Sequence, residues 1–184
     1  MGLPREPDPV KLFVALLCND SSLFAPVESD LRDLFGPVDH ASAALPWAVT
    51  DYYREEMGPA LQRKLVSFHD LTEPGKISAI KNMTQDLESK YLWRRGTQQG
   101  RSVNLDPGYL EASKVVLAST KNAAHRVYLG GGIYAEVTLQ FRHGAFEPQP
   151  HTYVDYRWPE TLGFFLAVRS IYLGQLRARR RRAS

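Results

Sequence analysis

Residues 39–71, DHASAALPWAVTDYYREEMGPALQRKLVSFHDL, decide the fold, because they hold two extended segments in succession, 39–56 and 61–71, parted by the turn signal Met57-Gly58-Pro59. A helix is expected on each side of that pair. Upstream, Val27, Leu31, Leu34 and Phe35 recur at helical spacing between Pro26 and the stop Gly36-Pro37, which predicts a helix over 25–35. Downstream, Ile77, Ile80, Met83, Leu87 and Tyr91 share one helical face over 74–92. Residues 10–17, VKLFVALL, lie between Pro9 and Asn19-Asp20-Ser21-Ser22 and read as a buried strand that Cys18 ends. After the polar loop RRGTQQGR, residues 102–105 supply a further strand before a turn expected at Asp106-Pro107-Gly108. The order β-α-β-β-α-β breaks the regular alternation that a doubly wound parallel sheet needs. It predicts an α+β fold with a ferredoxin-like βαββαβ core, two helices covering one face of an antiparallel sheet.

The last third extends that core with an antiparallel β-hairpin region and a C-terminal helix. Residues 114–120 read as a strand, and HRVYL and IYAEVTLQF flank Gly130-Gly131-Gly132, a turn of hairpin length. Facing Leu129 with Ile133 pairs Tyr128 with Tyr134, Val127 with Ala135 and Arg126 with Glu136. That register puts Val127, Leu129, Ile133, Ala135, Val137 and Leu139 on a core face and Arg126, Tyr128, Tyr134, Glu136 and Thr138 on a polar one. A connector over 143–151 leads to a short strand, TYVDYRW, where Tyr153, Asp155 and Arg157 alternate with Val154 and Tyr156, and Pro159-Glu160-Thr161 opens the last helix.

Composition excludes several classes. Among 184 residues, 23 Lys+Arg face 20 Asp+Glu, a formal charge of +3. Five of the arginines lie in RARRRRAS, residues 177–184, and without them 18 basic residues face 20 acidic ones. The excess therefore belongs to an arginine-rich tail, read as disordered, behind a single domain over 1–176. Cys18 alone cannot form an internal disulfide, and no CxxC pair offers a zinc site. No apolar run approaches the ~20 residues that cross a bilayer, and the start lacks a secretory pattern, so a cytoplasmic protein without membrane contact is expected. P-loop, nucleophile-elbow, zinc-protease, Rossmann and EF-hand patterns are absent. The glycine triplet lies between two strands, where a phosphate cradle needs a helix N-terminus.

Five polar clusters remain. In TDYYREEMG, residues 50–58, an extended backbone puts Asp51, Tyr53 and Glu55 on one face, where two carboxylates can share a divalent cation. The plainer reading is an edge strand kept soluble by charge. Asp106 in NLDPGYL is either a further metal oxygen or a turn cap. STKNAAHR, residues 119–126, gathers Lys121, His125 and Arg126. Arg by bidentate geometry and Lys as a point charge suit a phosphate or carboxylate, and His125 suits proton transfer near neutrality; a solvated loop is the alternative. Glu136, opposite Arg126, is either a cross-strand ion pair or, once covered, a buried charge whose cost a ligand or metal must offset. Asp155, with Tyr153 and Arg157, offers the same choice. The candidate site thus has His125, Glu136 and Asp155 as acid/base residues, Lys121, Arg126, Arg157, Tyr134 and Tyr153 as ligand-binding residues, and Asp51, Glu55 and Asp106 as ligands of a divalent metal.

Seven phrases in order, KLFVALL, LFGPVD, TDYYREEMG, NLDPGYL, KVVLASTKNAAHRVYL, GIYAEVTLQF and TYVDYR, resemble a prokaryotic family described as domain of unknown function 4416, over roughly Val10 to Tyr172. The resemblance implies a prokaryotic cytoplasmic setting. Some members carry a GTP-binding label, which the missing P-loop residues do not support here. Three functions then compete. The first is a domain that binds or acts on a small phosphorylated or nucleotide-like anion at the polar sheet face, metal-assisted and closed by the connector 143–151. The second is a nucleic-acid-associated protein whose arginine tail grips phosphates nonspecifically while sheet tyrosines stack bases. The third is a scaffold without a ligand.

Overall fold

The computed structural model describes residues 2–183. β1 (Val10–Cys18) is buried along its whole length, as an unbroken apolar run requires of a central strand covered on both faces. α1 (Phe24–Phe35) buries Phe24, Val27 and Leu31 and stops at Gly36, whose φ of +87° suits glycine. β2 (Val38–Ala41) and β3 (Leu45–Trp47) follow, and both pair antiparallel with β4 (Leu61–Thr72).

The extended segment expected over 39–56 therefore ends at Trp47. Residues 51–53 form a 3₁₀ turn and α2 (Arg54–Met57) a single helical turn, started by the Thr50 hydroxyl, which accepts the Tyr52 N–H at 3.1 Å. The strand alternation of Asp51, Tyr53 and Glu55 does not form. α3 (Ile77–Glu88) carries 3₁₀ turns at both ends, so the expected helix over 74–92 is present. The polar loop after it is a hairpin, β5 (Leu92–Arg95) and β6 (Gln98–Arg101).

β7 (Val103–Leu110) runs straight through the turn expected at Asp106-Pro107-Gly108, which lies opposite Ala15, Val14 and Phe13 of β1. Tertiary packing overrides local turn chemistry at this point. A Cβ on Gly108 would stand 2.5 Å from Phe13 Cζ and 2.4 Å from the Val116 carbonyl oxygen, so the glycine makes room for a ring and a neighbouring strand. β8 (Lys114–Ser119), β9 (Val127–Gly130), β10 (Ile133–Arg142) and β11 (Ala145–Pro148) complete the curled antiparallel sheet. Its order is β11-β10-β8-β7-β1-β4-β2, with β3 beside β4 and β9 beside β10.

In the hairpin, Tyr128 faces Tyr134 and Val127 faces Ala135 as expected, but a bulge sets Ile133 opposite Gly130 instead of Leu129. A second bulge falls between Val137 and Leu139. The expected core face is therefore broken. Val127 and Leu129 are exposed on the edge strand, while Ile133 packs on the α1/α3 side and Leu139 on the opposite side. Residues 154–157 form a 3₁₀ turn where a strand was expected, so Tyr153, Asp155 and Arg157 share no strand face. α4 (Pro159–Ala183) begins where expected and carries residues 177–183 as its last turns.

Alternate residues of β1 feed two cores. Leu12, Val14, Leu16 and Cys18 meet α1 and α3; Phe13 and Ala15 meet Phe164, Phe165, Val168 and Tyr172 of α4. Helices thus cover both faces of the sheet. One opening remains in it: β7 pairs with β1 from Val103 to Leu110 but with β8 only from Gly108 to Leu110. Below Gly108 the two strands part.

Candidate functional site

A cavity of about 740 Å³ is lined by residues of the parted strands and their neighbours, a volume in the range that encloses small-molecule ligands. Its walls come from α3, the free edge of β7, the end of β8, β10, β4 and the 3₁₀ turn before α4. The free edge is closed by side chains. The Leu105 N–H donates to Glu88 Oε1 at 2.7 Å, and the Leu105 carbonyl accepts from Lys81 Nζ at 2.7 Å, so two turns of α3 stand in for a strand partner.

A charged network continues from there across the floor. Arg101 donates to Glu88 Oε2 at 2.7 Å and grips Glu56 with Nε and Nη2 at 2.6 and 2.9 Å, a bidentate pair. Asn104 donates to Asp106 Oδ2 at 2.8 Å, and Asp106 also pairs with Lys81 at 3.2 Å and Arg63 at 3.7 Å. Arg63 holds Asp155 at 2.7 Å, and Trp47 Nε1 donates to the same oxygen at 3.1 Å. Burial pushes the Glu88 carboxyl above its ordinary value despite Lys81 and Arg101. Burial acts in the same sense on Asp106, but Lys81 and Arg63 together hold it below its ordinary value. Arg63 is 7% exposed, yet its Nε and Nη1 have no hydrogen-bond partner, and neither has the buried Tyr156 hydroxyl.

The rim is built on β10. Arg126 Nε donates to Glu136 Oε2 at 2.7 Å, while its Nη1 and Nη2 reach Ser119 Oγ at 2.9 Å and the Tyr153 hydroxyl at 2.8 Å. His125 Nε2 lies 2.9 Å from the same Glu136 oxygen, and the His125 and His151 rings stack 4.0 Å apart. Lys121 Nζ stands 3.7 Å from the Tyr52 ring centroid, a cation–π contact. Among the described residues Lys121 has no carboxylate partner.

Of the residues singled out in the sequence, Lys121, Arg126, Glu136, Tyr153, Asp155 and Asp106 line this cavity, and His125 joins it through Glu136. The others lie apart. Arg157 donates to the carbonyls of Gln149, Pro150 and Thr152 and holds the connector in place. Tyr134 packs against Tyr128 on the hairpin. Asp51 on the 3₁₀ turn and Glu55 on α2 are exposed, Asp51 paired with Arg54, and the two do not meet Asp106. Arg63, Lys81, Glu88, Arg101, Trp47 and Tyr156 escaped sequence reasoning. A signal existed for three of them: Arg63 sits in phase with the buried Leu61 and Leu65, and Lys81 and Glu88 share a helical stripe with the buried Ile77 and Thr84. A charge in an apolar phase marks a polar interior.

No helix among the described residues is long and apolar enough to cross a membrane. No curated protein and no solved structure matches the chain. A family model, however, spans residues 8–172, nearly every element that builds the cavity, and by that match the chain belongs to the family described as Domain of unknown function (DUF4416).

Proposed function

We propose that the cavity binds a small anionic ligand, phosphorylated or nucleotide-like, with Arg63 at its floor and Lys121 at its mouth. The observation that carries this reading is Arg63, whose Nε makes no hydrogen bond and whose Nη1 meets only the Asp106 carboxylate at 3.7 Å inside a buried network. Leaving such donors unmade costs free energy that an oxygen-rich anion, also in reach of the Tyr156 hydroxyl, would recover. The lining has five cations (Arg63, Lys81, Arg101, Lys121, Arg126) against four carboxylates, which favours an anion. Trp47, Tyr52 and Tyr53 supply flat apolar surface for a ring.

The test is a thermal-shift screen of the full chain against nucleotides, sugar phosphates and inorganic phosphate. A ligand at a hundred times its Kd stabilises the fold by about 2.7 kcal/mol, a clear rise in Tm. Lys121→Ala, which removes an exposed side chain, is expected to keep the unliganded Tm and to lose most of the rise. A flat panel favours the scaffold reading.

In this reading the βαββαβ half is a ferredoxin-like core, supported by the order β7-β1-β4-β2 and by α1 and α3 on one face. A prokaryotic cytoplasmic setting is in keeping with one buried cysteine, Cys18, whose thiol burial pushes up to about 12. A second reading, nucleic-acid contact, is favoured by the exposed Arg177 and Arg179–Arg182 at the end of α4. Salt-dependent RNA binding that disappears on deletion of residues 177–184 is its expected signature.

A further inference from the structure

We propose that His125, Glu136 and His151 form a binding site for a divalent transition-metal ion at the rim of the cavity. Among the described residues these three place one imidazole nitrogen each and one carboxylate oxygen within 4.8 Å of one another. His125 Nε2 and Glu136 Oε2 are 2.9 Å apart, a few tenths of an ångström short of the ~3.0–3.4 Å that separates adjacent ligands each ~2.1 Å from one ion. His151 Nε2 lies 3.0 Å from the Val137 carbonyl oxygen, which can only accept, so Nε2 carries the proton and Nδ1 keeps its lone pair. A ring nitrogen donating to a backbone carbonyl is the outer-shell bond that orients a metal-ligating histidine.

The carboxylate is equally well placed. Glu136 is 3% exposed, and the Thr138 hydroxyl donates to its other oxygen at 3.3 Å. Metal entry replaces the His125–Glu136 hydrogen bond with release of the Nε2 proton, and Arg126, whose Nε donates to the same Glu136 oxygen, gives up that bond and keeps those to Ser119 and Tyr153. Two imidazoles and one carboxylate select Zn²⁺, Co²⁺ or Fe²⁺ over Mg²⁺ and Ca²⁺, and three protein ligands leave coordination positions for water or a ligand. Glu136 and His151 both line the cavity, so those positions adjoin the space given above to the anion. The metal site does not depend on the anion reading.

The experiment uses the full chain stripped of metal by chelation and titrated calorimetrically with Zn²⁺ or Co²⁺ alone, without phosphate. One ion per chain is expected, Co²⁺ developing visible bands of nitrogen and oxygen ligation. Because Glu136 is buried against Arg126, the more exposed His125 (31%) carries the mutational test. His125→Ala and His151→Ala are each expected to weaken binding by at least about tenfold, and Lys121→Ala to leave it unchanged. Absence of saturable binding, or an affinity unmoved by both histidine substitutions, overturns the proposal. Loss of the phosphate-ligand response in Lys121→Ala with metal affinity intact would bear on the anion site alone.

Discussion

Arg63 concentrates the physics of the site in one side chain. Its guanidinium is buried and holds Asp155 at 2.7 Å, leaving Nε without a hydrogen bond and Nη1 with only the 3.7 Å pair to Asp106. Replacing it with Met removes the charge that offsets Asp155 and leaves that carboxylate with Trp47 as its remaining donor. A loss of about 3–5 kcal/mol in urea unfolding is expected. Asp106 makes a prediction in pH. Its folded carboxyl titrates below the ordinary 3.8, so its stabilisation is fully present above that value and is lost as pH falls through the folded value. Asp106→Asn should therefore cost more stability near neutral pH than in acid below the carboxyl's ordinary value, measured as the difference in unfolding free energy from wild type. Glu88, raised by burial, contributes in the opposite sense as pH rises.

At the scale of elements, the opening between β7 and β8 is held by α3. Glu88→Ala deprives the Leu105 N–H of its acceptor and Arg101 of one carboxylate, and is expected to cost about 1–3 kcal/mol for the orphaned donor. Hydrogen exchange at the Leu105 amide should accelerate in the same variant. Gly108 sets the other limit of the opening. Gly108→Ala drives a methyl against the Val116 carbonyl and the Phe13 ring, and a destabilisation of about 1–3 kcal/mol is expected in thermal unfolding. Asp106-Pro107-Gly108 predicts a turn yet lies within β7, because turn chemistry is local, whereas Gly108 answers to a ring on β1 and a carbonyl on β8. The α2 segment errs the other way, since the Thr50 cap is a local signal that the apparent alternation of Asp51, Tyr53 and Glu55 concealed.

For the whole molecule, helices on both faces leave binding to the parted strands. The end of α4 beyond Leu176 adds an exposed Arg180–Asp8 pair at 2.9 Å, worth no more than about 1 kcal/mol. Deleting residues 177–184 removes this pair along with the further contacts of Arg180 and Arg181, and a fall in Tm of about 2–4 °C for each kcal/mol lost is expected. Much of the architecture was legible because it rests on period and punctuation: the run of β1, the spacing of Val27 and Leu31, the stripe of α3 and the pairing of Tyr128 with Tyr134 are all short-range patterns. Arg126 and Glu136 were legible together for the same reason, lying ten residues apart across one hairpin. What the chain order could not express is coincidence in space between distant residues. Arg63 meets Asp155 across 92 positions of sequence and Lys81 meets Leu105 across 24, contacts created when α3 and the turn before α4 close on opposite faces of one split sheet. Periodicity determined which residues form strands and helices; only packing, by burying charges that no local rule brings together, decided where the site lies.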